Sequence, residues 1–105
     1  AEPTCQIYIV IADVTYRLQA LKLIQDLRQA GWGVDFSLVP IRVSKQFQIA
    51  AQLGARLCVI VGGEWPQVKF KRLATREEFS CPQEVLLERL KNEEQIPLHH
   101  PLFTS

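Results

Sequence analysis

Lys69 and Lys71 stand two residues apart in the alternating stretch Gln67 to Leu73, with Val68 and Phe70 on the complementary positions. On an extended strand that spacing sends both ammonium groups from one face and both apolar side chains from the other. Arg42 and Lys45 are three apart at the start of a predicted helix, and Arg72 follows Lys71 directly. Ammonium and guanidinium groups in such numbers neutralise phosphate oxygens, the first as point charges and the second as planar forks. Segment 42–76 carries seven cationic side chains against Glu64 alone, net +6, whereas 1–41 carries net −1 and 77–105 net −4. A basic middle in a chain of net charge +1 is the footprint of a surface that faces a polyanion. Gln46 offers an amide that can read a base edge, and Trp65, beside Gly62-Gly63, offers a ring on which a base can stack. Trp32, just after Gly31, reads as a core or interface residue.

Other chemistries are poorly served. Cys5, Cys58 and Cys81 are far apart, no Cys-x-x-Cys pair exists, and His99 and His100 sit together near the end. A zinc site needs clustered pairs of soft ligands, so no metal is expected. An odd set of thiols without a signal segment reads as reduced and cytoplasmic, with Cys58 acting as a small hydrophobe inside its apolar run. Asp13 and Asp35 can be drawn towards a common sheet edge, but their plain readings are a helix cap and a surface strand residue. Ala12-Asp13-Val14-Thr15 after the first apolar run lacks glycine, so neither a dinucleotide loop nor a Walker loop is present there. No nucleophile–base set is visible. This chain alone is expected to be non-catalytic and to hold no cofactor.

The elements that must position the cations follow from pattern. At 105 residues and 12.0 kDa the chain is one domain's worth, and a domain of this size buries about 65% of its unfolded surface. Apolar residues at 48% and charged residues at 22% exclude wholesale disorder. The longest apolar run, Ile7 to Ala12, cannot span a bilayer, so no membrane partner is expected. A start at Ala1 and the lack of any Met suggest a piece of something longer.

Gln6–Ala12 reads as a strand buried on both faces, followed by a helix capped by Asp13 or Thr15, with Leu23, Ile24, Leu27 and Ala30 on one face and Gly31 as its stop. Leu18 and Leu21 lie off that stripe, which suggests a contact beyond the helix's own sheet. Val34–Val39 predicts a second strand ended by Pro40, Ser44–Leu53 a short helix, Leu57–Val61 a buried strand, and Gln67–Leu73 a half-buried strand. A short strand over Glu77–Ser80 and a helix begun by the Ser80-x-x-Gln83 capping box complete the order. Helical crossovers imply parallel strands, and the last two strands should pair antiparallel. The expected fold is therefore α/β: a three-layer domain with a mixed five-stranded sheet and three helices over 1–92, then a polar, Pro-rich tail over 93–105. Val10, Val59, Ile60 and Val68 should be buried in a sheet covered on both faces.

The text KQFQIAAQLGARLCVIVGGEW from Lys45, then VKFKRLATREE from Val68 and a closing EVLLERLKN, resembles the C-terminal anticodon-binding domain of class II aminoacyl-tRNA synthetases, the histidyl member in particular. The matching positions are Lys45, Gln46, Phe47, Ala50, Gly54, Ala55, Gly62, Val68, Lys71 and Leu73, and the likeness runs over about residues 5–92. It departs at the shortened Trp65-Pro66 turn, at Arg72 where Asp is usual, at Arg42 where Ser is frequent, and at Thr75-Arg76-Glu77-Glu78 in place of a Gly-containing hairpin. The resemblance implies a tRNA partner, histidine tRNA, and the residues whose chemistry could hold it are Arg42, Lys45, Gln46, Trp65, Lys69, Lys71 and Arg72. It also implies an upstream class II catalytic domain that uses ATP and magnesium for ligation, and a homodimeric parent. A rival reading is a protein-interaction or dimerisation module in a regulatory paralogue. A small-ligand α/β enzyme is disfavoured by the missing loops.

Overall fold

The computed structural model describes residues 5–95, in the order β1 (Ile7–Ile11), a 3-10 turn (Val14–Tyr16), α1 (Arg17–Gln29), β2 (Val34–Phe36), α2 (Val43–Gln52), β3 (Leu57–Val61), β4 (Gln67–Arg72), β5 (Glu78–Pro82) and α3 (Gln83–Gln95). The strands form one sheet in the order β2-β1-β3-β4-β5. β1 runs parallel to both β2 and β3, because each of those connections passes through a helix. β3–β4 and β4–β5 are antiparallel, joined by short hairpins.

Alternation along the strands divides the core into two layers. Ile7, Ile9, Ile11, Val59, Val61, Val68, Phe70 and Cys81 face Leu23, Ile24 and Leu27 of α1 and Leu86 and Leu90 of α3. Tyr8, Val10 and Cys58 face Ala50 of α2 on the other side, with Phe47 and Ile49 packed against them. The fold class is thus the expected mixed five-stranded sheet with three helices. Val10, Val59 and Val68 are buried as anticipated. Ile60 is only half-buried, since among the described residues α2 is the one helix on its face and lies over β1.

Several boundaries differ from the sequence pattern. β2 stops at Phe36 rather than Val39, leaving Leu38 79% exposed. α2 begins at Val43, one residue before the expected Ser44, is entered through Arg42 in extended conformation, and has no side-chain cap. Ser80 is a strand residue opposite Lys69, not a helix cap; β5 runs on to Pro82 and Gln83 starts α3 by donating its backbone N–H to Pro66 O at 2.8 Å. Asp13 caps the 3-10 turn rather than α1, accepting from Thr15 N at 2.9 Å, which holds its carboxyl below the usual range, and α1 starts after Tyr16 with no side-chain cap. Gly31, at φ 99°, ends α1 as expected. Leu21 packs against the core while Leu18 stays 80% exposed. α3 carries its backbone helix through Gln95, and the tail beyond it, with His99 and His100, lies outside the described residues.

The hairpin between β4 and β5 turns through Arg76 at φ 65°, a conformation in which a side chain costs roughly 1–2 kcal/mol. Arg76→Gly should stabilise the domain by about 0.5–1 kcal/mol in urea unfolding, part of the relief being offset by glycine's own entropy.

All three described cysteines are free and buried. Burial, with a smaller contribution from Cys5, pushes the Cys58 thiol from 9.0 up to about 12, against the opposing pull of Lys71. Burial likewise raises Tyr8. A proton held more tightly in the folded state stabilises it fully below the unfolded value, and that contribution is lost as pH rises. Stability should therefore fall between pH 9.0 and about 12, and Cys58→Ala should flatten this limb in denaturant titrations across that range.

Candidate nucleic-acid interface

β4 supplies the geometry that the alternation implied. Lys69 and Lys71 pair with Ile60 and Cys58 on β3 and with Ser80 and Glu78 on β5, so all six positions share one face of the sheet. Among the described residues, α2 is the one helix over that face, and its Phe47 ring meets the Lys71 ammonium at 5.4 Å. The contact holds the half-buried Lys71 stem against the helix while its charge stays at the rim. Lys69 is more open and pairs with Glu64 at 3.6 Å.

At the carboxyl ends of β1 and β3 the face deepens into a cleft of about 230 Å³, walled by Ala12, Ile60, Gly62 and Gly63 and edged by Glu64, Gln67 and Lys69. Gly62 keeps the wall close, because a Cβ at this position would stand 3.2 Å from the Ala12 Cβ and push the two apart by a few tenths of an ångström. The turn is tied by Trp65 N to Gly62 O at 3.0 Å and Gln67 N to Glu64 O at 2.9 Å. The cleft thus joins an apolar wall, a carboxylate that accepts, an amide that does both, and an ammonium that donates. That combination suits the edge and ring of a base with its phosphate alongside. Carboxyl ends of parallel strands are where open α/β sheets commonly hold ligands.

A second cationic patch sits at the same end. Arg42 and Lys45, both exposed, flank a shallow concavity with Ile41, Ser44 and Gln48 at the α2 N-terminus. The helix reaches this end because Gln46 anchors it: Ile11 N donates to Gln46 Oε1 at 2.8 Å, and Gln46 Nε2 donates to Ile11 O and Ile41 O, each at 2.9 Å.

That anchor corrects the sequence expectation for Gln46. The side chain is 2% exposed, and both amide protons and the carbonyl are engaged, so nothing remains to read a base. Trp65 also sits elsewhere than expected: its half-buried ring packs against the core layer of α1 and α3, not over Lys69 and Lys71. Trp32 packs into that same layer. Arg72, one residue beyond Lys71, points to the opposite face, with its guanidinium 5.9 Å from the Phe79 ring. Arg42, Lys45, Lys69 and Lys71 are thus brought to one side of the domain, and Gln46, Trp65 and Arg72 are not. Glu64 and Gln67 were missed. The usable signal was a lone carboxylate inside a basic segment and a polar residue at the start of the cationic strand.

Among the described residues, no group of three or more His, Cys, Asp or Glu side chains could hold a metal ion, and no helix is long and apolar enough to cross a membrane.

Residues 6–93 match the family model described as anticodon binding domain. A histidine–tRNA ligase of Opitutus terrae is 37% identical over 81 residues, covering 74% of this chain and 18% of that protein. One from Synechococcus elongatus is 36% identical over 88 residues, covering 81% and 20%. Among solved structures, a histidyl-tRNA synthetase from Nostoc sp. PCC 7120 superposes with a TM-score of 0.77 at 30% identity, over 88% of this chain and 22% of that one. The chain therefore spans about a fifth of the length of these relatives.

If Gln46 is an anchor and not a reader, its loss is felt in stability. Gln46→Ala leaves the Ile11 N–H and two carbonyls without their partner, at about 1–3 kcal/mol for each group that stays buried and unpaired. Gln46→Glu should be worse still, since a carboxylate would face two carbonyl oxygens. Equilibrium unfolding of both variants checks this order.

Proposed function

The chain belongs to the anticodon-binding domain family, and from that premise we propose that it holds the anticodon arm of a tRNA, histidine tRNA by its relatives, on the open face of its sheet. The observation that carries the reading is Lys69 at the edge of a cleft at the carboxyl ends of β1 and β3, with Lys71 on the same sheet face and Arg42 and Lys45 at the nearby α2 N-terminus. An anticodon is single-stranded, so its bases can be splayed into a cleft while cations hold its phosphates. In this reading the ligation belongs to an upstream class II catalytic portion, which would hold ATP and magnesium. The whole protein would be a cytoplasmic homodimer, and this chain would position the tRNA.

A second reading, a protein-interaction or dimerisation module, is favoured by one observation: Val14, Leu18, Leu38 and Val39 are all exposed. RNA titration separates the two. Binding of an anticodon stem-loop should weaken with salt at a slope of roughly −0.7 per phosphate contact. Lys69→Ala and Lys71→Ala should weaken every stem-loop about equally, since phosphates carry no sequence. Glu64→Gln should strengthen non-specific binding by freeing Lys69, yet reduce discrimination between cognate and altered anticodons. Absence of binding at low salt would favour the interaction module.

A further inference from the structure

β2 is an edge strand, and its sequence context is hazardous. Residues 34–39 read Val-Asp-Phe-Ser-Leu-Val, six residues of high strand propensity with a single charge. Such a segment at a sheet edge is a template for strand addition. The structure pairs only Val34–Phe36, parallel to β1.

In a parallel ladder, successive residues direct their backbone groups alternately to the neighbouring strand and away from it. Gly33 gives its carbonyl to Ile7 N at 3.0 Å, which turns Val34 and Phe36 outward. Of the four outward backbone groups of Val34 and Phe36, the Val34 carbonyl and the Phe36 amide are taken by side chains. Arg28 donates to Val34 O through Nε at 3.2 Å and Nη2 at 2.7 Å. Asp35 Oδ1 accepts from Phe36 N at 2.8 Å. Arg17 Nη2 donates to Leu38 O at 2.9 Å. Ser37 Oγ, donating to Val39 O at 2.6 Å, bends the next residues out of register. The two guanidinium groups also lie 6.0 and 5.8 Å from the Phe36 ring, which fixes them over the edge they cap.

We infer that Arg28 and Asp35, assisted by Arg17, form a side-chain cap that closes the β2 edge against pairing with a second copy of this chain. The cap takes one acceptor and one donor that a sixth strand would use, so an incoming strand must break those contacts to pair in full along this edge. This device is separate from the cationic face, and it accounts for two arginines that the RNA reading leaves unused.

The test uses the 105-residue chain with Asp35→Ala combined with Arg28→Leu, and Asp35→Asn as the control that keeps an Oδ1 acceptor. Sedimentation equilibrium over a range of concentrations reads self-association, and infrared spectroscopy reads intermolecular strand pairing. The double variant should associate about tenfold or more tightly than the parent and show the intermolecular sheet band, with Asp35→Asn unchanged. A folded double variant that sediments like the parent, or that associates without the band, overturns the proposal. Should the double variant fail to fold, Asp35→Ala alone decides, because Asp35 is exposed and holds no core group. Its Phe36 amide should exchange hydrogen faster than in Asp35→Asn, and equal rates would refute the cap.

Discussion

One helix cannot cover five strands. A helix with its side chains is about 10–12 Å wide and strands are about 4.8 Å apart, so a single helix shields roughly two of them. On one face of this sheet α1 and α3 together cover its width. On the other, among the described residues, α2 alone is present, and it lies over β1. Among the described residues, β4 and β5 are left with an open face, and β4 fills it with lysines. The bare face is therefore a consequence of helix count and strand order, and the charge on it is a consequence of period-two alternation in a strand whose other face must be apolar.

Placement of α2 makes that face usable. Gln46 bonds both backbone groups of Ile11 and the carbonyl of Ile41, so the helix start is fixed to the end of β1. Arg42 and Lys45 consequently share an end of the domain with the cleft at Gly62-Gly63. The amide that resembled a reading group in the sequence acts one step behind the surface: it positions the groups that face the ligand. Glu64 has a related effect by contact, since its 3.6 Å pairing with Lys69 puts a competitor beside the phosphate-seeking charge. Backbone-only contacts at this spot must displace that carboxylate, whereas a base with hydrogen-bond donors can use it.

Much of the fold was legible because its strands are of two unmistakable kinds. The β1 and β3 runs are continuous and β-branched, as doubly covered strands must be, and β4 alternates, as a half-covered strand must. Lys69 and Lys71 followed from that alternation alone. The misplacements share a cause, namely that pattern gives the face of a residue but not what stands opposite it. Gln46 lies on the inner face of α2, where a polar residue is rare, and only the unpaired ends of β1 explain its presence. Arg72 was grouped with Lys71 by proximity in sequence, although adjacent strand residues point to opposite faces. Val34–Val39 has the propensity of a longer strand, but side-chain hydrogen bonds to its own backbone end the pairing early. Trp65 was read from its neighbouring glycines, whereas its ring is claimed by the apolar layer behind the turn.

The central claim is that RNA meets the face left bare by α2. Amide chemical-shift mapping of the isotopically labelled chain, titrated with a histidine-tRNA anticodon stem-loop at low salt, tests it most directly. The account predicts that perturbations concentrate at Arg42–Lys45, Gly62–Glu64 and Gln67–Lys71, with Arg28, Phe36 and the α3 helix unchanged. Perturbations centred instead on α1, the β2 edge or α3 would contradict it.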